Sequence, residues 1–185
     1  AELRQAGWKL LTCEPEVVAQ LADKRRFREL AERLGLESHL PSHYKTPQGA
    51  IYPCILKPAR GGYGHNTHIV QDEEEVTRIT GSEHLGSDWV LQELVTGSVE
   101  YSTSLLVDTG RVLGVASMRY SYATDVYVWP RVEQVQARLC SLPAEHLDVM
   151  RKFVGNYSGF CNFNYKTTAS KSLRIFEMNP RAGAD

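Results

Sequence analysis

The spacing of hydrophobic residues predicts a helical block at about residues 15–34, divided into two helices. In the second helix the apolar residues recur at i, i+3, i+4 and i+7, which places them on one face: Phe27, Leu30, Ala31 and Leu34. Asp23 stands where a helix-capping side chain is needed, and Gly35 stands where a helix can end in a left-handed residue. These two residues therefore bound the second helix.

Later segments rich in β-branched, aromatic and alternating residues predict strands. They are expected at residues 52–57, 67–70, 89–94, 98–108, 111–117, 159–165 and 172–178. Helices are expected at 72–79 and 143–153, whereas 40–49 is interpreted as a surface connection and 120–129 is left unassigned. Because consecutive strands are joined by short turns, such as Asp108-Thr109-Gly110, their pairing should be antiparallel. The pattern indicates an α+β fold.

Composition and charge narrow the functions that these elements can serve. The chain has 185 residues, 42% of them apolar, with 21 basic and 22 acidic side chains and a net charge of −1. This balance argues against nucleic acid as a partner, and no apolar run approaches the roughly 20 residues of a membrane helix. The four cysteines lack CxxC spacing, which favours reduced thiols and a cytoplasmic location.

The first candidate site is a strand followed by glycines, Lys57-Pro58-x-x-Gly61-Gly62-x-Gly64. Glycines let backbone amides approach phosphate oxygens closely, and a lysine at the end of a strand supplies a fixed positive charge. The pattern is typical of a flap over nucleotide phosphates, although a plain glycine-rich hairpin accounts for it equally well when it is taken alone. It is not a P-loop, because there the lysine follows the glycines and opens a helix.

A second candidate lies at residues 92–102, where a strand ends near Gly97 and extended structure resumes with Glu100. The backbone at the strand end can hydrogen-bond a nucleotide base, and Glu100 can accept hydrogen bonds from ribose hydroxyls. The alternative is an ordinary edge strand with solvated acids, and on these residues alone that alternative is favoured.

The third candidate combines two strands near the end of the chain. Alternation places Asn162 and Asn164 on one face of the first strand, and Glu177 and Asn179 on one face of the next. Carboxylate and amide oxygens are ligands that Mg²⁺ prefers, and Arg181 can stabilise the charge of a transferred phosphoryl group. These strands therefore predict a metal and phosphoryl-transfer site.

Taken in this order, the three candidates resemble the ATP-grasp superfamily, over nearly the whole chain from Leu21 to Arg181. The most specific motif is Glu-x-Asn-Pro-Arg at 177–181, which carbamoyl-phosphate synthases and carboxylate-amine ligases share. The resemblance implies two α+β lobes with largely antiparallel sheets around a nucleotide cleft. It also implies ATP, Mg²⁺ with Mn²⁺ as a substitute, and small-molecule carboxylate and amine substrates.

The resemblance further implies a role for each matching residue. It assigns the phosphates to Lys24, Lys57, Gly61, Gly62 and Gly64, the adenine edge to Glu93 and Val95, the ribose to Glu100, the metal to Glu177, Asn179 and Asn164, and catalysis to Arg181 with Lys57. Residues 1–22 are then expected to be a remnant of, or a linker to, a preceding domain. Residues 23–185 are expected to form an ATP-grasp domain truncated at both ends, with a small flap lobe at about 50–95. A homodimer is left open.

The function implied is a ligase that activates a carboxylate as an acylphosphate for attack by an amine or another nucleophile. The alternative is a module that binds ATP and Mg²⁺ without turnover, for which the short front segment, the neutral Asn164 and the abrupt end at Asp185 are the supporting features. A third, weaker alternative is an interaction domain that keeps only the fold.

Two further groups of side chains stay outside these assignments. His39 and His43 are interpreted as a solvated loop pair rather than a metal site, because Pro41 breaks any helix between them. A set of aromatic residues can either stack on a substrate or pack on the sheet: Tyr120, Tyr122, Tyr127 and Trp129.

Overall fold

The chain folds into two antiparallel sheets, each with helices packed against it. The computed structural model describes residues 2–8, 10–62, 64–168 and 172–182. Its helices are α1 (Glu2–Gln5), α2 (Pro15–Ala22), α3 (Lys24–Leu34), α4 (Glu73–Thr80) and α5 (Ala144–Phe153). Its strands are β1 (His43–Tyr44), β2 (Cys54–Pro58), β3 (His68–Val70), β4 (Trp89–Glu93), β5 (Val99–Asp108), β6 (Arg111–Tyr122), β7 (Gln134–Leu139), β8 (Gly159–Thr167) and β9 (Leu173–Asn179).

The small sheet has the order β1-β4-β2-β3 and the large sheet the order β7-β6-β5-β8-β9. Every neighbouring pair is antiparallel, which confirms the α+β class and the pairing expected from the short turns. At the turn between β5 and β6, Thr109 and Gly110 have φ values of 49° and 78°. Two left-handed residues in succession are the geometry that a two-residue hairpin turn requires.

Each sheet has its own hydrophobic core. The small sheet buries five residues with helix α4: Cys54, Leu56, Val70, Val76 and Leu91. The large sheet buries a larger set against α2, α3 and α5, in which the rings of Phe27 and Phe153 lie 4.8 Å apart between centroids. Leu21 of α2 belongs to this core as well. The opposite face of the large sheet borders a cleft shared with the small sheet, and its polar side chains there include Glu100, Asn164 and Lys166.

Three segments differ from the expectations. Residues 43–44 of the expected surface connection form β1, which pairs with β4, and the strand expected at 111–117 continues to Tyr122. Strand β7 was not expected at all. Its sequence, QVQARL, does alternate polar and apolar residues, which is a strand signal that the sequence reasoning missed. All six residues are nevertheless exposed, so the alternation does not mark a buried face.

The interpretation of His39 and His43 as a solvated pair is wrong in one respect, because both side chains are half-buried. Burial lowers the pKa of each imidazole, with the charges of Arg174 near His39 and of Arg28 near His43 acting in the same direction. In the described ranges there is no cluster of three or more His, Cys, Asp or Glu side chains that could hold a metal ion.

All four cysteines are free thiols, and Cys54 and Cys161 are buried. Burial raises the pKa of Cys54 to about 11 and that of Cys161 to about 12, so both stay protonated and unreactive near neutral pH. The cytoplasmic location stays a prediction. Among the helices that the structure describes, none is long and apolar enough to cross a membrane.

Asp23 connects helix α3 to the start of the glycine flap, which is the loop after β2 that carries Gly61, Gly62 and Gly64. Its carboxylate accepts hydrogen bonds from the amides of Arg25 and Arg26, at 3.0 and 3.3 Å, which confirms the predicted cap. It also pairs with the side chain of Arg60 at 2.9 Å. Burial alone would raise the pKa of Asp23, but the hydrogen bonds from Arg60 and the two amides lower it below its ordinary value. Asp23 therefore stays ionised while it fixes the first turn of α3.

We expect Asp23→Ala to lower the free energy of unfolding by about 1–2 kcal/mol, the usual effect of losing a helix cap. Asp23→Asn should cost much less, because asparagine caps as well and the lost partner, Arg60, is 80% exposed, where an ion pair contributes little. Urea unfolding at pH 7 followed by circular dichroism measures both. Equal losses in the two variants would show that the ion pair, rather than the cap, stabilises this end of the helix.

Candidate active site

A cleft of about 350 Å³ separates the two sheets and is lined by residues from both. All twelve residues that the sequence placed in the site border it: Lys24, Lys57, Gly61, Gly62, Gly64, Glu93, Val95, Glu100, Asn164, Glu177, Asn179 and Arg181. They come from α3, β2, the flap, β4, β5, β8 and β9, so the fold gathers segments that are up to 157 positions apart, from Lys24 to Arg181. The roles given to them stay predictions.

Lys57 of β2 is a buried cation in the wall of the cleft. Its side chain reaches the opposite sheet, where Nζ donates to the carbonyl of Phe176 at 3.2 Å, and the residue is 7% exposed. Burial, together with the nearby charge of Lys24, lowers the pKa of Lys57 to about 8, while Glu177 and Glu100 oppose the shift. Burial and the charge of Lys24 therefore outweigh the attraction of these two carboxylates and disfavour the charged form of Lys57.

Lys24 begins helix α3 and contacts both the flap and the large sheet. Its Nζ donates to the carbonyl of Gly61 at 2.9 Å and lies 3.4 Å from Oε2 of Glu177. Burial alone would raise the pKa of Glu177, but the charges of Lys24 and Lys57 and hydrogen bonds from neighbouring amides lower it. Glu177 is therefore ionised, and the adjacent positive charge of Lys24 neutralises it in part.

The predicted metal ligands lie together on the polar face of the large sheet. Asn164 and Glu177 are register partners on β8 and β9, and Asn179 follows two positions after Glu177. The side-chain amides of Asn164 and Asn179 donate to Oε1 of Glu177 at 3.3 and 3.1 Å. Turning either amide about its last torsion would present its oxygen instead.

This set of donors fits a hard divalent cation that also binds phosphate oxygens. One carboxylate and two amide oxygens match the oxygen ligands of Mg²⁺, but they carry a single negative charge. Glu177 is the one acid among them, and Lys24 stands beside it. The residues thus suit a metal that arrives with a polyphosphate better than a metal that binds alone.

The glycine flap meets residues 123–133, here called the β6–β7 loop. Gly64 has a φ of 64°, and a Cβ atom at this position would lie 1.8 Å from the carbonyl oxygen of Trp129. Only glycine fits so close an approach. Arg131 of the same loop donates to the carbonyl of Thr67. At the other end of the flap, Gly62 faces the guanidinium of Arg181.

Glu100 lies beside Tyr127 and Lys166 at one end of the cleft. The hydroxyl of Tyr127 donates to Glu100 at 2.9 Å, and Nζ of Lys166 lies 4.1 Å from the centre of the Tyr127 ring. Burial raises the pKa of Glu100, and the Tyr127 hydrogen bond and the Lys166 charge offset only part of that rise. Lys166 also donates to the carbonyl of Val95 at 3.1 Å.

The side chain of Glu93, unlike those of the other predicted site residues described above, contacts a residue that does not line the cleft, Ser42. Its carboxylate accepts from the amide of Ser42 at 2.9 Å, and its own amide donates to the carbonyl of Ser42 at 2.8 Å. This pair of bonds extends the contact between β1 and β4. Any contribution of Glu93 to a nucleotide base would therefore come from its backbone carbonyl.

Several residues of the cleft were missed by the sequence reasoning. Ile55 and Phe176 contribute apolar surface from the two sheets, and Lys166 contributes a buried cation. Lys166 continues the alternation of Asn162 and Asn164 along β8, so the same pattern could have revealed it. Ile55 and Phe176 gave no signal, because apolar residues in strands usually belong to a core.

Comparison with known proteins agrees with this architecture. No model of a known protein family matches the chain. Over 97% of its length it is 23% identical to the carbamoyl phosphate synthase large chain of Vibrio vulnificus (strain CMCP6), and it spans 18% of the length of that relative.

Two solved structures share the fold. L-amino acid ligase from Bacillus licheniformis aligns with a TM-score of 0.66 at 17% identity, covering 91% of this chain and 42% of that one. D-alanine–D-alanine ligase from Bacillus anthracis aligns with a TM-score of 0.64 at 16% identity, covering 100% of this chain and 64% of that one. Together with the cleft, these likenesses show the ATP-grasp fold.

We expect Lys57→Met, which keeps the apolar stem and removes the charge, to raise the free energy of unfolding at pH 7 by about 1–3 kcal/mol. In the unfolded chain Lys57 holds its proton up to its ordinary pKa of 10.5, whereas the folded protein releases it near 8. The unfolded state therefore binds more protons between these values, and this lysine makes wild-type stability rise with pH across that window.

Urea unfolding of both proteins between pH 7 and 10 measures this effect. The difference in the free energy of unfolding between wild type and Lys57→Met reports the contribution of Lys57 alone. Tyrosines and cysteines titrate in both proteins, so their contributions cancel. A variant advantage that shrinks as the pH rises is expected. An advantage that stays constant would mean that Lys57 keeps its ordinary pKa.

Proposed function

We propose that the chain is the ATP-binding domain of a ligase that activates a carboxylate as an acylphosphate for attack by an amine or another nucleophile. The observation that carries this proposal is the meeting of Lys24, the flap and Glu177 in one cleft. This arrangement places Lys24, whose positive charge can bind polyphosphate, next to Glu177, whose carboxylate can bind a divalent metal. The ligase names of the relatives and structural neighbours support the same reaction class.

The reaction needs no nucleophilic side chain. A carboxylate oxygen of the acid forms a bond to the γ-phosphorus of ATP as the bond from that phosphorus to the leaving oxygen of ADP breaks. The amine then forms a bond to the acyl carbon, and phosphate leaves. Lys24, Lys57 and Arg181 would hold the oxygens on which negative charge develops, and such positioning and neutralisation account for catalysis of this type.

In this proposal Glu177, Asn179 and Asn164 hold Mg²⁺, for which Mn²⁺ can substitute. The cation, when bound, neutralises phosphate charge. Glu100 receives the ribose hydroxyls, and the backbone at Glu93 and Val95 receives the base between Ile55 and Phe176. The hydroxyl of Tyr127 donates a hydrogen bond to Glu100. When ribose binds, this hydrogen bond would either be lost or persist beside those from the ribose hydroxyls.

Turnover is favoured over simple nucleotide binding by the ligase names of the relatives and structural neighbours. Arg181 faces the flap glycine Gly62, where it can hold charge that develops on a transferred phosphoryl group. Asn164, although neutral, still contacts Glu177 and keeps an oxygen available to a cation. The extent of the domain, with residues 1–22 as a linker and 23–185 as the ATP-grasp unit, belongs to this proposal.

The proposal is tested by ATP affinity and by ADP release that depends on a carboxylic acid. Lys57→Met should weaken ATP binding by about 1.5–3 kcal/mol, the scale of one charge-assisted hydrogen bond to phosphate. The matched control is Lys45→Met, because Lys45 is exposed and lies outside the cleft. Since Lys57→Met is expected to be more stable than wild type, weaker binding could not be attributed to unfolding. Unchanged ATP affinity would remove Lys57 from the site.

We expect Glu177→Gln to abolish the gain in ATP affinity that Mg²⁺ produces, because the cation requires this negative charge. Affinity measured with EDTA should not fall and is expected to rise, because the variant removes a negative charge that pairs with Lys24. Calorimetric titration of ATP with and without Mg²⁺ gives both values, and Glu73→Gln, on the exposed side of α4, is the control. The metal assignment is wrong if Mg²⁺ strengthens binding equally in Glu177→Gln and wild type.

A further inference from the structure

A half-buried acid, a buried lysine and a tyrosine meet at the end of the cleft where the nucleoside would lie. Tyr101 of β5 and Tyr165 of β8 are register partners. Glu100 precedes the first and Lys166 follows the second, so these two opposite charges stand across from each other on the cleft face. The hydroxyl of Tyr127 donates to Oε2 of Glu100 at 2.9 Å, and Nζ of Lys166 lies 4.1 Å from the centre of the Tyr127 ring. Glu100 therefore has a hydrogen-bond donor and a positive charge beside it.

Both neighbours of this acid are held in place by other contacts. Lys166 is 4% exposed, and its Nζ also donates to the carbonyl of Val95 at 3.1 Å. Tyr127 belongs to the β6–β7 loop, in which the carbonyl of Asp125 accepts from the amide of Gly97 at 2.9 Å. The loop is thus fastened to the chain between β4 and β5, two residues before the point where Tyr127 reaches the acid. The donor and the charge are in position without a nucleotide.

These neighbours favour the form of Glu100 that ribose would need. Burial raises the pKa of Glu100, and the negative charge of Glu177 adds to the rise. The Tyr127 hydrogen bond and the positive charges of Lys166 and Lys57 act in the opposite direction and favour the carboxylate. A carboxylate has about four positions at which it can accept, and Tyr127 occupies one of them. Two hydroxyls can therefore still donate to the same group.

We propose that Tyr127 and Lys166 are positioning residues that hold Glu100 as an oriented acceptor for the two ribose hydroxyls and so make the site select ribonucleotides. The proposal rests on the proposed function, in which Glu100 receives the ribose, and adds the two residues through which that acid is prepared. It requires the Tyr127 hydrogen bond to persist when ribose binds. If Tyr127 instead competed with ribose for Glu100, removing its hydroxyl would improve ribose binding.

The test compares ADP with 2′,3′-dideoxy-ADP, which lacks both hydroxyls that Glu100 could receive. Calorimetric titration of each nucleotide with Mg²⁺ gives the ratio of the two dissociation constants. Because both ligands carry the same base and phosphates, effects at Lys57 or at the metal cancel in this ratio. We expect wild type to prefer ADP by at least about tenfold, the scale of hydrogen bonds to a charged acceptor. Tyr127→Phe and Lys166→Met should each lose most of that preference at pH 7.

The pH dependence of the ratio separates positioning from a general loss of structure. Without the Tyr127 hydroxyl the pKa of Glu100 should lie higher, because that hydrogen bond lowers it in the wild type. Glu100 accepts fully only above its pKa, so the preference of Tyr127→Phe for ADP should recover in part between pH 6 and 9, with a midpoint above that of wild type. Burial raises the pKa of Tyr127 itself, so its hydroxyl keeps its proton over this range.

Two matched controls lie outside the cleft: Tyr52→Phe, which also removes a bonded hydroxyl, and Lys45→Met, at an exposed position. Both should keep the wild-type ratio. A stronger preference for ADP in Tyr127→Phe, or a preference that neither Tyr127→Phe nor Lys166→Met reduces, would overturn the positioning role. Equal binding of both nucleotides to wild type would overturn it as well, while nucleotide binding stands. Failure of both nucleotides to bind would overturn the proposed function too.

Discussion

The contacts of Lys24 hold together the three parts of the molecule that form the cleft. Its amide donates to the carbonyl of Ala59 at the end of β2, and its side chain donates to Gly61 in the flap and pairs with Glu177 on β9. Helix α3, the small sheet and the large sheet therefore meet at one residue. Removing its charge would leave Glu177 buried without its nearest counter-ion, which is more costly than losing an exposed ion pair.

The cleft keeps an excess of positive charge at some expense of stability. Lys57 and Lys166 are both buried, and burial lowers the pKa of each of them. A protein selected for stability alone would place apolar side chains at such positions. In the proposed function a polyphosphate would bring negative charge next to these lysines and favour their charged forms.

The features of the fold and the site that could be predicted from the sequence are those that depend on residues close together in the chain. Asp23 as a cap and Gly35 as a left-handed end need only their neighbours along the chain, and alternation was enough to place Asn164 and Glu177 on one face. The carboxylate of Glu93 turns away to Ser42, 51 positions earlier in the chain. No local pattern contains that information, because it depends on how β1 reaches the edge of the small sheet.

The same limit applies to the β6–β7 loop, whose role depends on a contact with the flap more than 60 positions earlier in the chain. Gly64 lies close to the carbonyl of Trp129, and Arg131 donates a hydrogen bond to the carbonyl of Thr67. The flap and the β6–β7 loop therefore pack against each other. If the flap amides hold phosphate as proposed, that contact would also fix the position of the loop that carries Trp129. The positions of the flap and the β6–β7 loop are thus coupled through a glycine that admits no side chain.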